Sequence, residues 1–181
     1  MSNIADTTAS QVSECLDLEV LKRSFAERNA TVGVIGLGYV GLPLVKAFNA
    51  SGFRVIGFDV DRDKVAQLQS GETYIRTVPS EAIRAMVDSG RFRATVDFAD
   101  IETLDAILIC VPTPLNKYRE PDLSFVARTA EAIVPHLRPG QLAILESTTY
   151  PGTTTELLRP ILERLLPRLF ARARGSGKSK I

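Results

Sequence analysis

Three glycines and one acid are the residues of this chain best spaced to do chemistry. Gly36-Leu37-Gly38-Tyr39-Val40-Gly41 directly follows the apolar run TVGVI, and Asp59 closes the next apolar run, FRVIGFD. In a strand–turn–helix setting each glycine has its own duty. The first permits the tight turn, the second lets backbone approach a pyrophosphate, and the third lets the helix pack closely on the sheet. The amides at the head of that helix favour an anion. Asp59 is placed to accept hydrogen bonds from a ribose diol and to repel a 2′-phosphate, which favours NAD over NADP, although Arg62 is close enough to oppose that exclusion. The plainer alternative is a tight turn that binds nothing.

Two more stretches fall at the ends of apolar runs. Val111-Pro112-Thr113-Pro114 ends DAILIC, and Glu146-Ser147-Thr148-Thr149 ends QLAIL. Ligands of open α/β sheets sit outside the carboxyl ends of the strands. Thr113 therefore offers a hydroxyl beside the cofactor, and the later hydroxyls could hold a water or a developing oxyanion near a nicotinamide. The alternatives are a rigid strand terminator for the prolines and a helix cap for Thr153 or Thr154.

The elements that must position these groups read as alternating strands and helices. Short β-branched runs predict strands buried on both faces, and the intervening segments predict crossover helices. Together they predict an α/β protein with a Rossmann-type, doubly wound parallel sheet. VGLPLVKAFNAS is a helix stopped by Gly52, and DRDKVAQLQSG is a second helix ended by glycine. SEAIRAMVDSG is a short helix that Ser80 could cap, RATVDF is a weak edge strand, and Asp122 or Ser124 stands near the start of the next helix. Pro160 can kink or interrupt the last one. The domains predicted are an N-terminal arm and helix at 1–29, an incomplete NAD-binding domain at 30–166, and a basic tail at 167–181.

The chain has 181 residues, 45% hydrophobic and 24% charged, with 22 basic and 21 acidic side chains. That is ordinary globular composition for about one domain. The near-zero net charge gives no field for nucleic acid, yet Arg164, Arg168, Arg172, Arg174, Lys178 and Lys180 make the end basic and leave an acidic body. No apolar run approaches the roughly 20 residues of a membrane span, and the first residues lack the pattern of a signal peptide. A cytoplasmic protein is expected. One histidine, His136, and two distant cysteines, Cys15 and Cys110, fit no metal-ligand spacing. Cys110 sits inside an apolar strand and is expected to be a buried hydrophobe. Gly175-Ser176-Gly177-Lys178-Ser179 echoes a P-loop ending, but no strand precedes it.

GVIGLGYVGLPL, GFDVDRDKV, GETYIRTVPSEAI, ICVPTPLNKYREPDLSFV and LESTTYPGTT occur in order, within a match that covers roughly residues 16–163. Together they resemble the UDP-glucose/GDP-mannose dehydrogenase family and, more narrowly, its bacterial UDP-N-acetylhexosamine 6-dehydrogenase branch. The resemblance implies an NAD-dependent enzyme of polysaccharide and cell-envelope sugar biosynthesis. Such an enzyme oxidises the C6 alcohol of a UDP-sugar to a uronate by two hydride transfers. It implies cofactor contacts from Gly36, Leu37, Gly38, Tyr39, Val40, Gly41, Asp59 and Lys64, with Val111 to Leu115 flanking and Ser147, Thr148 and Thr149 by the nicotinamide. Thr148 matches the threonine that helps position the reacting water. Thr77 stands where a histidine is common in the branch.

The resemblance also marks what the sequence lacks. Family members continue into a last Rossmann strand with a glutamate, a dimerisation helix, a lysine–asparagine pair, a cysteine nucleophile and a sugar-binding domain. The expectation is a truncated chain, inactive alone, with an uncovered sheet edge that promotes self-association or a homo-oligomer. A stand-alone dinucleotide-binding module without catalysis is the alternative; a hydroxyacid-type Rossmann dehydrogenase is a third possibility, disfavoured by Tyr39-Val40-Gly41-Leu42-Pro43 and Thr113-Pro114.

Overall fold

A computed structural model describes residues 18–115, 117 and 119–164. The arm at 1–14, Cys15 and the tail with its P-loop echo lie outside the described residues.

Five short strands form one parallel sheet in the order β3-β2-β1-β4-β5. They are β1 (Thr31–Ile35), β2 (Arg54–Phe58), β3 (Phe92–Thr95), β4 (Ala106–Ile109) and β5 (Leu142–Leu145). Helical residues 18–26 (α1) precede β1. The crossovers carry α2 (Gly41–Ala50), α3 (Arg62–Gln69), α4 (Ser80–Asp88) and α5 (Ser124–Ile133). After β5 comes a π-helical turn, Thr154–Leu158, that runs into α6 (Arg159–Glu163).

Both sheet faces are covered, which is why the strands are apolar without strict alternation. Val32, Val34, Val55 and Leu108 face Leu42, Val45, Val65, Leu68 and Ile83 on one side. Ile35, Ile56, Phe58, Ile107 and Ile109 face Ile101, Ala130, Ile133 and Leu158 on the other. The expected doubly wound architecture is therefore present.

The register decides where the site can be. Ile35 pairs with Phe58 and with Ile109, and Ile109 pairs with Leu145. The carboxyl ends of four neighbouring strand segments are level, so their loops leave the sheet side by side. The strand order reverses between β1 and β4, and such a reversal opens a crevice.

Local details refine the sequence reading. Gly52 has φ +94° and donates its N–H to Asn49 just past α2, as a helix-ending glycine does. Ser80 is the first residue of α4 rather than its cap: Pro79 holds the cap position, and the Ser80 hydroxyl accepts the Thr73 N–H instead. The Asp122 carboxylate accepts the Ser124 N–H at the start of α5. RATVDF is an edge strand displaced toward its start, covering Phe92–Thr95, because Asp97 caps the following 3-10 turn through the Ala99 N–H. Pro160 does not break the last helix. It lacks the N–H that would bond back to Glu156, and the turn before it widens to π geometry.

Ile133 is fully buried between α5 and the sheet. Ile133→Ala is expected to lower unfolding stability by about 2–5 kcal/mol, read from urea denaturation. An unchanged midpoint would contradict this packing.

Candidate dinucleotide site

The glycine turn is held from three directions. Gly36 has φ +90°, and a β-carbon there would lie 2.7 Å from the Cys110 carbonyl oxygen, so β4 packs directly against the turn. A β-carbon at Gly41 would overlap the Gly36 carbonyl oxygen. Gly38 differs, since a β-carbon there would meet nothing within 4 Å. Its open face looks onto the crevice. Leu37 has a fully buried side chain and anchors the turn beneath the sheet end.

Asp59 is 9% exposed and spans the gap between β1 and β2. One carboxylate oxygen accepts the Leu37 N–H at 3.0 Å and the other accepts the Asp61 N–H at 3.0 Å. Asp61 in turn caps α3 by accepting from Asp63 and Lys64. Each Asp59 oxygen keeps a lone pair for a further donor. Lys64 stands with its ammonium 3.7 Å from Asp61 and above the Tyr74 ring.

A cavity of about 990 Å³ lies over these level strand ends. Gly36, Gly38, Tyr39 and Val40 line it from the first loop; Asp59, Val60 and Lys64 from the second. Cys110, Val111, Pro112 and Thr113 follow from β4, and Glu146, Ser147 and Thr148 from β5. Leu37, Gly41, Pro114 and Thr149 belong to the same loops but are not among the lining residues. Tyr39 and Val60 are 78% and 80% exposed, giving the mouth apolar surfaces beside its polar floor.

Two hydroxyls clasp the later loops together. Thr113 donates to the Thr148 carbonyl at 2.7 Å, and Ser147 donates to the Val111 carbonyl at 2.8 Å. Both protons are used inside the protein, so toward the cavity the Thr113 and Ser147 hydroxyls are left with acceptor capacity only. The Thr148 hydroxyl has no partner among the described residues and remains able to donate.

Sequence reasoning missed Tyr74, Phe125 and Arg128. Tyr74 donates to the Leu37 carbonyl at 2.7 Å. Arg128 lies 4.9 Å from the Phe125 ring centre, and both line the cavity from α5. Helical spacing could have paired the last two; nothing in the sequence links residue 74 to residue 37.

The donors left over decide what the crevice suits. Among the described residues no partner is found for the N–H groups of Gly38, Tyr39 and Val40, whereas those of Gly36 and Leu37 are bonded to Phe58 and Asp59. Unpaired amides at a helix head, an open glycine face and a carboxylate with spare lone pairs fit a diphosphate and its adjoining ribose.

A parallel sheet with this turn at its switch point defines a dinucleotide-binding domain. Residues 30–170 match the NAD binding domain of the UDP-glucose/GDP-mannose dehydrogenase family, and the chain belongs to that family. It is 33% identical over 137 residues to a UDP-N-acetyl-D-glucosamine 6-dehydrogenase of Pseudomonas aeruginosa, covering 76% of this chain and 32% of the relative. It is 38% identical over 135 residues to the UDP-N-acetyl-D-mannosamine dehydrogenase of Escherichia coli K12, covering 74% and 31%. Among solved structures, the UDP-N-acetyl-mannosamine dehydrogenase Cap5O of Staphylococcus aureus superposes with a TM-score of 0.69 at 34% identity, over 75% of this chain and 33% of that one. The chain thus spans about a third of the length of these relatives. No helix among the described residues is long and apolar enough to cross a membrane.

Cys110 is a wall of the crevice and, as expected, a buried one. Burial, with the nearby Glu146 carboxylate, pushes its thiol up to about 12. Its unfolded counterpart ionises near 8.5, so the stability tied to this group is whole below that pH and drains away as pH rises toward 12. In a Cys15→Ser background, alkylation of Cys110 at pH 9 is expected to run at least about a hundredfold slower in native than in denatured protein. Equal rates would show an accessible thiolate.

Proposed function

We propose that this chain is the NAD-holding part of an NAD-dependent nucleotide-sugar 6-dehydrogenase acting on a UDP-N-acetylhexosamine. The observation that carries the reading is the set of free amides at Gly38, Tyr39 and Val40 beside the Asp59 carboxylate. The names of the similar proteins support the sugar class. Bound NAD supplies the hydride acceptor for oxidising an alcohol.

The residues divide the work by their chemistry. The Gly36–Gly41 turn holds the diphosphate through its amides, and Asp59 accepts from the ribose hydroxyls, with Lys64 beside it. Asp59 also repels a 2′-phosphate, which sets the preference for NAD. Val111, Pro112, Thr113 and Pro114 flank the cofactor as a stiff wall. Ser147, Thr148 and Thr149 take the nicotinamide side, where the unspent Thr148 hydroxyl positions the reacting water. Cys110, held protonated, is not the nucleophile. A cytoplasmic location and a product used for polysaccharide building belong to the same proposal.

Calorimetry tests the assignment. The chain is expected to bind NADH in preference to NADPH. Asp59→Asn is expected to weaken NADH binding about tenfold and narrow the gap between the two cofactors. Unchanged affinity would remove Asp59 from the site. No NAD reduction is expected from this chain with UDP-N-acetylhexosamines, and turnover would show that it carries its own nucleophile.

The reading extends to self-association. β5 is the outer strand among the described residues, and Leu142 at its start is 42% exposed. An open apolar edge templates further pairing. Light scattering is expected to give a mass above the monomer, reduced by Leu142→Lys; a monomer at all concentrations would contradict it.

A further inference from the structure

We propose that Tyr74 is a positioning residue for the diphosphate site: it fixes the peptide whose N–H is the Gly38 donor and strengthens that donor. The inference rests on the reading that the glycine turn holds NAD. Tyr74 lies outside the four loops that line the crevice, on the segment between α3 and α4, and is half-buried. Its hydroxyl donates to the Leu37 carbonyl at 2.7 Å.

That carbonyl belongs to the peptide joining Leu37 to Gly38. The peptide is planar and trans, so its C=O and N–H point in opposite directions. Holding the oxygen at Tyr74 aims the Gly38 N–H away from Tyr74, and Gly38 itself lines the crevice with nothing within 4 Å of where a β-carbon would stand. The preceding peptide is fixed separately, because its N–H, that of Leu37, donates to Asp59 at 3.0 Å. Two successive peptides of the turn are thereby locked, one by a carboxylate and one by a phenol. A hydrogen bond accepted at a carbonyl also polarises the same peptide's N–H, which makes it a better donor to an anion.

The phenol is suited to permanent donation. Burial, then the carboxylates of Asp59 and Asp61, push its ionisation above the ordinary tyrosine range. Lys64 sits 5.8 Å from the ring centre and steadies its face. An ordinary turn would not need this tie: Leu37 is already anchored by its buried side chain.

Tyr74→Phe keeps the ring and removes only the hydroxyl. The expected result is NADH affinity about fivefold weaker by calorimetry, with affinity for adenosine, which lacks the diphosphate, unchanged. The Gly38 amide proton should move upfield in the nitrogen–proton spectrum, and the melting temperature should stay within about 2 °C. Equal NADH binding by the two proteins overturns the assignment to Tyr74 alone. A general loss, with adenosine affinity and melting temperature falling together, makes Tyr74 structural and overturns it too. No NADH binding by the unaltered chain overturns the NAD site and this inference with it.

Discussion

The hydrogen bond from the Leu37 amide to the Asp59 carboxylate is the constraint on which the site depends. It joins the turn after β1 to the end of β2, at a point where Ile35 and Phe58 already stand level in the sheet. A charged acceptor makes such a bond stronger than a neutral one. With Leu37 committed, the next three amides are left without internal partners at the head of α2. Asp59 meanwhile stays at the crevice edge, since its other oxygen is held by Asp61. One side chain thus leaves three amides unpaired and stands at a fixed distance from them, where the proposed function gives it the ribose hydroxyls.

The far wall uses a different device. Thr113 and Ser147 each donate a hydroxyl proton to a carbonyl of the opposite loop, so the loops after β4 and β5 are tied to each other twice. This spends their donor capacity, while the Thr148 hydroxyl keeps its own among the described residues. Rigidity comes from short ties between loops that the parallel register brings together.

Much of the fold was legible in the sequence because β1 and β2 are short β-branched runs, each followed by a helix with a glycine stop, and β4 is an apolar run closed by prolines. The glycine turn and Asp59 were legible for the same reason: local spacing, one strand apart, carries them. What escaped were contacts made only by the tertiary fold. Tyr74 reaches Leu37 across 37 residues with no periodic signal. The Ser80 hydroxyl looked like a cap from local sequence, yet a loop seven residues earlier captured it. Thr113 and Ser147 read as hydroxyls offered to a ligand, while the structure uses their protons between loops. Pro160 was readable as a disturbance, but local sequence did not show that the helix would widen rather than break there, with Leu158 and Ile161 both buried.

A crystal structure of the chain grown with NADH would test the core of this account most directly. Diphosphate oxygens within about 3.2 Å of the Gly38, Tyr39 or Val40 nitrogens, with a ribose hydroxyl on Asp59, are the predicted result. A dinucleotide seated elsewhere, or one that displaces Asp59 from the Leu37 amide to enter, would contradict it.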